Sequence, residues 1–249
     1  MRIAEGVEML NLSLKAFGDD GVFNPTLLWD GQSAILIDTG LPGQIGEIKK
    51  ELARVGVPFE RLTAIILTHQ DIDHIGNIDL ILNELKIDVY AHQLDIHYIE
   101  GEKPLLKTDP SKMSVEEWEA LSYPMKQISL NPPKAMITKA LKDGDELPFC
   151  GGIQVIHTPG HTPGHISLYH KVSKTLIAAD SMFCFNGKLR GPIAHVTPEI
   201  EQAVHSLEKY LAYDVENAVC YHGGLASIDV NDQLKQLIEE GMQAVVMVR

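Results

Sequence analysis

The 249-residue sequence lacks the features typical of disulfide-rich, membrane-spanning and secreted proteins. Its three cysteines, Cys150, Cys184 and Cys220, are an odd number without the close spacing of a disulfide framework, which favours a reducing compartment. No apolar run approaches the roughly 18 residues that a membrane-spanning helix requires. Acidic residues interrupt the amino-terminal segment where a secretory signal would be continuously apolar. We therefore expect a cytoplasmic protein.

Basic residues are also scarce: the sequence has 21 lysines and arginines and 34 acidic residues, which give a net charge of −13. A surface this acidic repels nucleic-acid phosphates and anionic lipid headgroups, and no cluster of lysine and arginine offsets it. The 45% hydrophobic and 22% charged content is typical of a globular domain. Without a linker, residues 1–249 are predicted to form one domain. The expected partner is a small-molecule substrate, with no nucleic acid and no membrane, and a homodimer is left open.

Short apolar runs and helically spaced apolar residues alternate along the chain. The runs predict strands at 10–17, 24–30, 33–37, 63–68, 87–91, 153–157, 166–170, 175–179 and 218–221. The helical spacing predicts helices at 45–55, 78–85, 198–212 and 232–246, and residues 69–77 are predicted to be a polar loop. Strand-rich segments followed by helices, twice over, indicate an α/β protein with two mixed sheets and helices outside.

One segment differs in composition, because five of the 13 prolines lie within residues 104–133. Proline breaks helix interiors and strand ladders, so this segment is predicted to be an irregular insertion. Within it an apolar stripe at helical spacing predicts one helix, bent at Pro124. The helix would either pack on the core or form a wall of a substrate pocket. The stripe consists of Val115, Trp118, Leu121, Met125 and Ile128. Trp118 is the candidate substrate contact here, and Tyr221 is a second one elsewhere.

The strongest chemical signal follows the apolar run at 63–68. Four potential metal ligands lie within six residues, namely His69, Asp71, Asp73 and His74. By chance, this composition would contain such a pattern in about 0.5% of cases. Since residues i and i+2 point the same way in extended backbone, His69 and Asp71 can bind one ion. Asp73 and His74 lie just beyond and can bind a second.

Three further segments place a potential ligand where an apolar strand ends or begins. His161 lies between two Pro-Gly pairs, with His165 at the mouth of the next strand. Asp180 ends one apolar strand and His222 ends another. Together with the first motif these make seven nitrogen and oxygen ligands, enough for two ions about 3.5–4 Å apart that share one carboxylate.

This set of motifs resembles the metallo-β-lactamase superfamily, in its lactonase and glyoxalase II-like branch, over essentially the whole chain. The family signature is His-x-His-x-Asp-His, then a histidine in a Pro-Gly-His-Thr context, an aspartate, and a histidine before glycine. The resemblance implies a four-layer αββα sandwich. It implies a first metal held by His69, Asp71 and His161, a second held by Asp73, His74 and His222, and Asp180 as the bridge. Asp38 would lie just outside the ligands and orient them, and His165 would also lie just outside them.

The sequence departs from the family signature at Asp71, which stands where the second histidine is expected. Flavodiiron oxygen and nitric oxide reductases also have a carboxylate there and bind iron. Three carboxylates and a bridging hydroxide neutralise two divalent ions, and oxygen-rich ligation moves preference from zinc toward iron or manganese. β-Lactamases with a cysteine ligand place it where Asp180 stands, so antibiotic hydrolysis is not favoured.

The function that these features predict is metal-dependent hydrolysis. A binuclear centre would cleave a small ester, thioester or lactone through a metal-bound hydroxide, with Asp73 as the catalytic group that helps to take the proton. The alternative is a flavodiiron-like di-iron protein that reduces oxygen or nitric oxide with an external electron donor, although the chain has no room for a flavin domain. A metal-sensing or structural relative is the third possibility, and seven intact ligands argue against it.

Overall fold

The computed structural model describes residues 1–13 and 21–248 of the chain. The strands that form the first sheet and its margin are β1 (Arg2–Ala4), β2 (Val7–Met9), β3 (Leu12–Ser13), β4 (Val22–Phe23), β5 (Thr26–Trp29), β6 (Ala34–Ile37), β7 (Ala64–Leu67), β8 (Asp88–His92) and β9 (Lys139–Leu141). Those of the second half are β10 (Glu146–Leu147), β11 (Ile153–His157), β12 (Ile166–His170), β13 (Thr175–Ala179), β14 (Phe183–Phe185), β15 (Lys188–Arg190), β16 (Asn217–Cys220) and β17 (Gly224–Ala226). The helices are α1 (Ile45–Val55), α2 (Ile72–Ile75), α3 (Ile78–Glu84), α4 (Ile96–Ile99), α5 (Val115–Ala120), α6 (Tyr123–Leu130), α7 (Ile200–Leu207) and α8 (Val230–Val248).

Two large mixed sheets organise these elements. The first has the order β1-β2-β5-β6-β7-β8-β9, and its strands from β6 to β9 are parallel to one another. The second has the order β10-β11-β12-β13-β16-β17, in which β13 and β16 are parallel and the other pairs are antiparallel. The small pairs β3-β4 and β14-β15 stand beside them. Because parallel strands end at the same edge, the loops that follow β6, β7 and β8 lie next to one another.

The two faces of each sheet bury different apolar residues. On the first sheet Ile35 and Ile37 pack between the sheets with residues of the second sheet such as Val155 and Leu168. Leu36, which has the opposite orientation, packs with the helices outside the first sheet. A third cluster joins the outer face of the second sheet to α7 and α8 through residues including Leu176, Ala178, Leu207 and Leu234. The four-layer αββα sandwich expected from the sequence is therefore confirmed.

The predicted polar loop at 69–77 is wrong in part, because it contains the helical turn α2. The backbone N–H groups of His74 and Ile75 donate to the carbonyl of Asp71 at 2.9 and 3.1 Å. Ile72 and Ile75 are buried beneath this turn. A single turn is too short to show helical periodicity when polar ligands stand between its apolar residues. The predicted strand at 10–17 is observed only at Leu12–Ser13, and its residues 14–17 lie outside the described residues.

The proline-rich segment 104–133 contains a 3₁₀ turn at Pro110–Lys112 and the two helices α5 and α6. The prediction of one bent helix is wrong, because Leu121 is extended and Ser122 caps the start of α6. Pro124 lies in the first turn of α6, where its missing N–H costs no hydrogen bond. Val115 is 75% exposed, so the predicted stripe is not a continuous buried face.

The predicted helix at 198–212 is likewise divided, into α7 and a 3₁₀ turn at Glu208–Ala212. By contrast α1 matches its predicted bounds, and Gly56 ends it in the left-handed conformation with a φ of 81° that glycine tolerates. In residues 1–13 and 21–248, no helix is both long and apolar enough to cross a membrane.

Candidate metal centre

Four loops meet at one edge of the sandwich and supply all seven predicted ligands. His69 and Asp71 follow β7, and Asp73 and His74 lie on α2. His161 lies in the loop from β11 to β12, Asp180 follows β13, and His222 follows β16. The two sheets are joined at this edge by the Ile166 N–H, which donates to the Thr68 carbonyl at 2.9 Å.

The ligand atoms gather into the two triads that the sequence indicated. Those of His69, Asp71 and His161 all lie within 4.8 Å of one another, and so do those of Asp73, His74 and His222. A third group of the same compactness consists of His69, His74 and Asp180. The two triads are therefore contiguous.

Asp180 contacts both triads through its carboxylate. Its Oδ2 lies 3.4 Å from His161 Nε2 and 3.2 Å from His222 Nε2, and its Oδ1 lies 3.3 Å from His74 Nε2. A carboxylate placed between two groups of ligands can bridge two ions.

Three buried polar atoms at the centre of the site have no hydrogen-bond partner among the described residues. They are His69 Nε2, His74 Nε2 and Asp180 Oδ1, which belong to the compact third group. The nearest charged atoms are 3.3 Å away, between His74 Nε2 and Asp180 Oδ1 and between His69 Nε2 and Asp71 Oδ2, and do not complete a hydrogen bond. A bound partner would satisfy such buried polar atoms. Imidazole nitrogens and carboxylate oxygens suit divalent ions such as zinc, iron and manganese, and the residues fit a metal centre.

Asp38 is hydrogen-bonded to one of the candidate ligands, His74. Its Oδ2 accepts a hydrogen bond from His74 Nδ1 at 2.8 Å, which turns Nε2 of that imidazole toward the ligand cluster. Thr68 donates to the same carboxylate through its backbone N–H at 2.8 Å and its hydroxyl at 2.7 Å. Asp38 has a φ of 63°, an uncommon conformation outside glycine that the surrounding hydrogen bonds hold in place.

His165 is fully engaged as a support for Asp180. Its Nε2 accepts a hydrogen bond from the Asp180 backbone N–H at 3.1 Å, so its Nδ1 carries the proton and donates to Thr158 Oγ1 at 2.8 Å. Both ring nitrogens are therefore used, and neither is available to an ion. Burial and the nearby imidazoles of His69 and His161 keep the pKa of His165 well below its ordinary value, in line with this neutral form.

Asp95, which sequence reasoning missed, ties two ligand loops together. Its buried carboxylate accepts hydrogen bonds from the Gln70 N–H at 3.1 Å, the Gln70 side-chain amide at 3.2 Å, Thr162 Oγ1 at 2.8 Å and the Gly164 N–H at 2.8 Å. A Cβ atom at Gly164 would lie 2.7 Å from the Asp95 Cγ, so only glycine permits this approach. Burial raises the pKa of Asp95 despite these donors. No motif at Asp95 indicates the role, because its partners are distant in sequence.

The three carboxylates of the site are held in the ionised form. Burial opposes ionisation of Asp71, but the imidazoles of His69 and His161 and the Lys107 ammonium outweigh it and hold its pKa well below 3.8. Burial likewise opposes ionisation of Asp180 and Asp73, and neighbouring imidazoles lower the pKa of each. Ionised carboxylates are the form that a metal ion requires.

The imidazoles divide into two classes. Burial opposes protonation of His222, but Asp180 and Asp73 raise its pKa to about 10. Burial is likewise outweighed at His74, whose pKa Asp180, Asp38 and Asp73 raise well above 6.5. Burial and the His74 imidazole instead lower the pKa of His69 to about 4. Without metal, protonated imidazoles therefore neutralise part of the carboxylate charge. Divalent ions that bind these imidazoles would displace the protons.

A cavity of about 290 Å³ opens over the ligands. Its apolar wall consists of Ile72, Leu105, Met182, Phe183, Ile193 and Val196, and its other polar groups are Lys107, Thr108 and His195. The sequence analysis assigned no site role to Lys107 or His195, because no ligand spacing surrounds either residue. Five of the seven ligands, all but His69 and His74, line the same cavity.

The two residues expected to contact substrate lie elsewhere. Trp118, on α5, is not among the residues that line this cavity, which the segment 104–133 walls only through Leu105, Lys107 and Thr108. Tyr221 is buried, its ring lies 3.9 Å from that of His74, and its hydroxyl donates to the Asp73 carbonyl. Tyr221 therefore supports α2, and its burial removes it from the substrate chamber.

Lys107 reaches into the first triad. Its ammonium Nζ lies 2.5 Å from Asp71 Oδ2 and 2.5 Å from His161 Nε2. The His161 Nδ1 lies 3.3 Å from Thr197 Oγ1, which leaves Nε2 as the nitrogen directed at the site. Within the described residues, the first triad is thus in direct contact with a lysine cation.

Comparisons with known proteins agree with this geometry. The family model of the metallo-beta-lactamase superfamily matches residues 18–222, a range that includes Asp38 and all seven ligands. The chain is 34% identical over 205 residues to the probable metallo-hydrolase YflN of Bacillus subtilis, over 77% of this chain and 75% of that protein. It is 25% identical over 162 residues to hydroxyacylglutathione hydrolase GloC of Haemophilus influenzae, over 64% of this chain and 66% of that one. The crystal structure of the metallo-beta-lactamase family protein TTHA1429 from Thermus thermophilus has the same fold, with a TM-score of 0.70 at 20% identity over 97% of this chain and 81% of that chain.

Proposed function

The chain belongs to the metallo-β-lactamase superfamily and is a metal-dependent hydrolase, and we propose that it is a binuclear enzyme that cleaves a small ester, thioester or lactone. The main support for the binuclear proposal is a set of buried atoms without a hydrogen-bond partner among the described residues, namely His69 Nε2, His74 Nε2 and Asp180 Oδ1. These atoms lie between two triads that share Asp180.

The protein's own residues have distinct tasks in this reaction. Two divalent ions held by the triads would polarise the substrate carbonyl and supply hydroxide as the nucleophile. Asp38 orients His74, and His165 orients Asp180, so the ligand geometry is set before substrate binds. Asp73 approaches His74 and His222 through Oδ2 at 3.7 and 3.5 Å and lines the cavity, which leaves Oδ1 to hold a proton beside the substrate.

The cavity supports a small acyl substrate. Its volume of about 290 Å³ is just below the usual range for ligand pockets, about 300–1,000 Å³, which favours a small substrate. Side chains such as Leu105, Met182 and Phe183 would contact the apolar part of the substrate, while its carbonyl faces the ligands. The similarity to a hydroxyacylglutathione hydrolase also supports an acyl compound as substrate. The net charge of −13 disfavours a polyanionic substrate such as nucleic acid.

Metal analysis and a substrate panel test this proposal together. Protein purified without chelator is expected to contain about two ions and to hydrolyse esters, thioesters or lactones in preference to phosphodiesters. Asp180→Ala should lower the metal content and reduce turnover at least about a hundredfold, because it removes the bridge between the triads. Asp232→Ala is the control, because Asp232 is exposed on α8 and its ion pair among the described residues is with Lys235, three positions along the helix.

Two results would contradict the proposal. One is a metal content of one ion or less at saturating metal, and the other is hydrolysis confined to phosphodiesters. Visible absorbance from the purified protein, together with reduction of oxygen or nitric oxide by an added electron donor, would instead support the di-iron alternative that a carboxylate at Asp71 suggests.

A further inference from the structure

The contact between Lys107 and the first triad places two cations in competition for the same atoms. Nε2 of a neutral imidazole has one lone pair, which either accepts a hydrogen bond or binds an ion. In the structure the Lys107 ammonium lies 2.5 Å from His161 Nε2 and 2.5 Å from Asp71 Oδ2, and these two atoms are 3.0 Å apart, so the ammonium occupies the place from which an ion would bind both. A metal ion can therefore bind His161 only after Lys107 has moved away.

We propose that the Lys107 ammonium is an internal competitor of the first metal ion, so that the two triads bind metal with unequal affinity. The inference rests on the proposed binuclear function. In the described part of the chain, the ion pairs of the second triad join imidazoles to carboxylates, without lysine or arginine. The second triad thus fills first, and the first triad fills only when Lys107 is displaced.

Charge balance around the same lysine gives a second reason for unequal loading. The carboxylates of Asp71, Asp73 and Asp180 contribute three negative charges. One divalent ion in the second triad and the Lys107 ammonium in the first contribute three positive charges, so the form with a single ion already balances the three ligand carboxylates. A second ion adds two positive charges to this buried cluster while the ammonium is still nearby, and its affinity is lower for that reason.

The segment that carries Lys107 allows the side chain to move while the backbone stays. The Leu106 N–H donates to Gln70 Oε1 at 2.9 Å, and Leu105 is buried in the core beside it. On the other side, Asp109 accepts a hydrogen bond from the Ser111 N–H at 2.9 Å and begins a 3₁₀ turn. Lys107 itself is 22% exposed and lines the cavity, so rotation about its side-chain bonds moves the ammonium into the substrate chamber.

Direct metal binding tests the inference without reference to activity. Protein freed of metal with a chelator is titrated with Zn²⁺ and, separately, Mn²⁺, and the two dissociation constants are measured by calorimetry or by competition with a chromophoric chelator. Lys107→Met keeps the unbranched shape and most of the length of the side chain but has no charge and no donor. It should tighten the weaker site about ten- to hundredfold, the value expected for charge-assisted hydrogen bonds that no longer compete, and leave the tighter site unchanged.

The matched control is Lys103→Met, in the same segment. Lys103 is exposed and lies over the Tyr98 ring at 5.5 Å, so its removal changes the net charge equally without touching a ligand. Lys107→Gln should also tighten the weaker metal site. Because glutamine is polar, this variant serves as the test if methionine disturbs folding. Thermal melting of the metal-free proteins establishes that each variant is folded.

The outcomes separate the two proposals. If wild type and the Lys103→Met control bind two ions with unequal affinity and both Lys107 variants tighten the weaker one, the inference holds. If the Lys107 variants bind the second ion within about twofold of the wild type, or more weakly, the inference is overturned and the binuclear function stands. If neither wild type nor control binds two ions, the proposed function fails and the inference fails with it.

Discussion

Replacement of Asp95 by asparagine should loosen the loop that carries His161. The carboxylate accepts two hydrogen bonds at each oxygen, with Gln70 N–H and Thr162 at Oδ2 and the Gln70 amide and Gly164 N–H at Oδ1. An asparagine side chain has a single oxygen, and its NH₂ group would face two of these donors. The Thr162 hydroxyl can rotate and accept from the new NH₂ group, but the Gln70 backbone N–H cannot, so at least one buried donor loses its partner.

The size of the effect follows from this count. An unpaired buried N–H costs about 1–3 kcal/mol, and a hydrogen bond to a charged group contributes about 1.5–3 kcal/mol. The neutral amide is cheaper to bury than a carboxylate whose pKa burial has already raised, which offsets part of that loss. We expect a net destabilisation of about 2 kcal/mol, or a Tm about 4–8 °C lower for a chain of this length. Affinity for the metal ion bound by His161 should fall about tenfold, as is common when a residue that orients a ligand is lost.

Thermal or denaturant unfolding and metal titration of the Asp95→Asn protein check both effects. Asp88→Asn is the matched control, because Asp88 begins the strand that ends just before Asp95 and accepts a hydrogen bond from Thr138 Oγ1 away from the ligands. The control should leave metal affinity unchanged. A lower Tm with unchanged metal affinity would mean that Asp95 stabilises the fold without positioning His161, and no change in either quantity would refute the argument from hydrogen-bond geometry.

Two further predictions concern single side chains. Asp71→His should shift metal preference toward zinc in a competition titration, because imidazole nitrogen suits zinc better than carboxylate oxygen does; an unchanged preference would exclude Asp71 from the ligands. His92 stacks on His157 with ring centres 4.0 Å apart, and burial and that imidazole lower its pKa from 6.5 to about 4. The unfolded chain therefore binds more protons below pH 6.5, so stability falls as the pH drops from 6.5 to about 4. The loss is about 1 kcal/mol at pH 5 after allowance for solvent screening. His92→Asn should lose correspondingly less stability between pH 7 and pH 5 in denaturant titrations, and equal losses in both proteins would contradict this.

The short strands were predictable, and the candidate ligands could be placed at their ends, because the signals for both are local. A run such as 63–68 is apolar at every position because a strand buried on both faces has no polar side, and the ligands follow directly where the strand ends. The helix α1 has both an apolar spacing and a glycine at its end, so its bounds also agree with the prediction.

Features without a periodic or terminal signal were missed. The turn α2 is a single helical turn, and its buried isoleucines alternate with polar residues in a way that a loop also allows. In segment 104–133 the spacing of apolar residues continues across Leu121, but the capping of α6 by Ser122 ends one helix and begins another. The hydrogen bonds of the Ser122 cap therefore set the helix boundary, although the apolar spacing continues across it.

The sequence by itself determined the family, the sandwich and the residue types that line the strand ends, because each depends on neighbours within a few positions. Only the tertiary structure decided what surrounds those residues. Lys107 meets ligands 36 and 54 positions away, and Asp95 joins Gln70 to Thr162 and Gly164 across separations of 25 to 69 positions. Contacts over such distances are set by how the two sheets pack and where their loops meet, and one sequence has no periodicity that reports them.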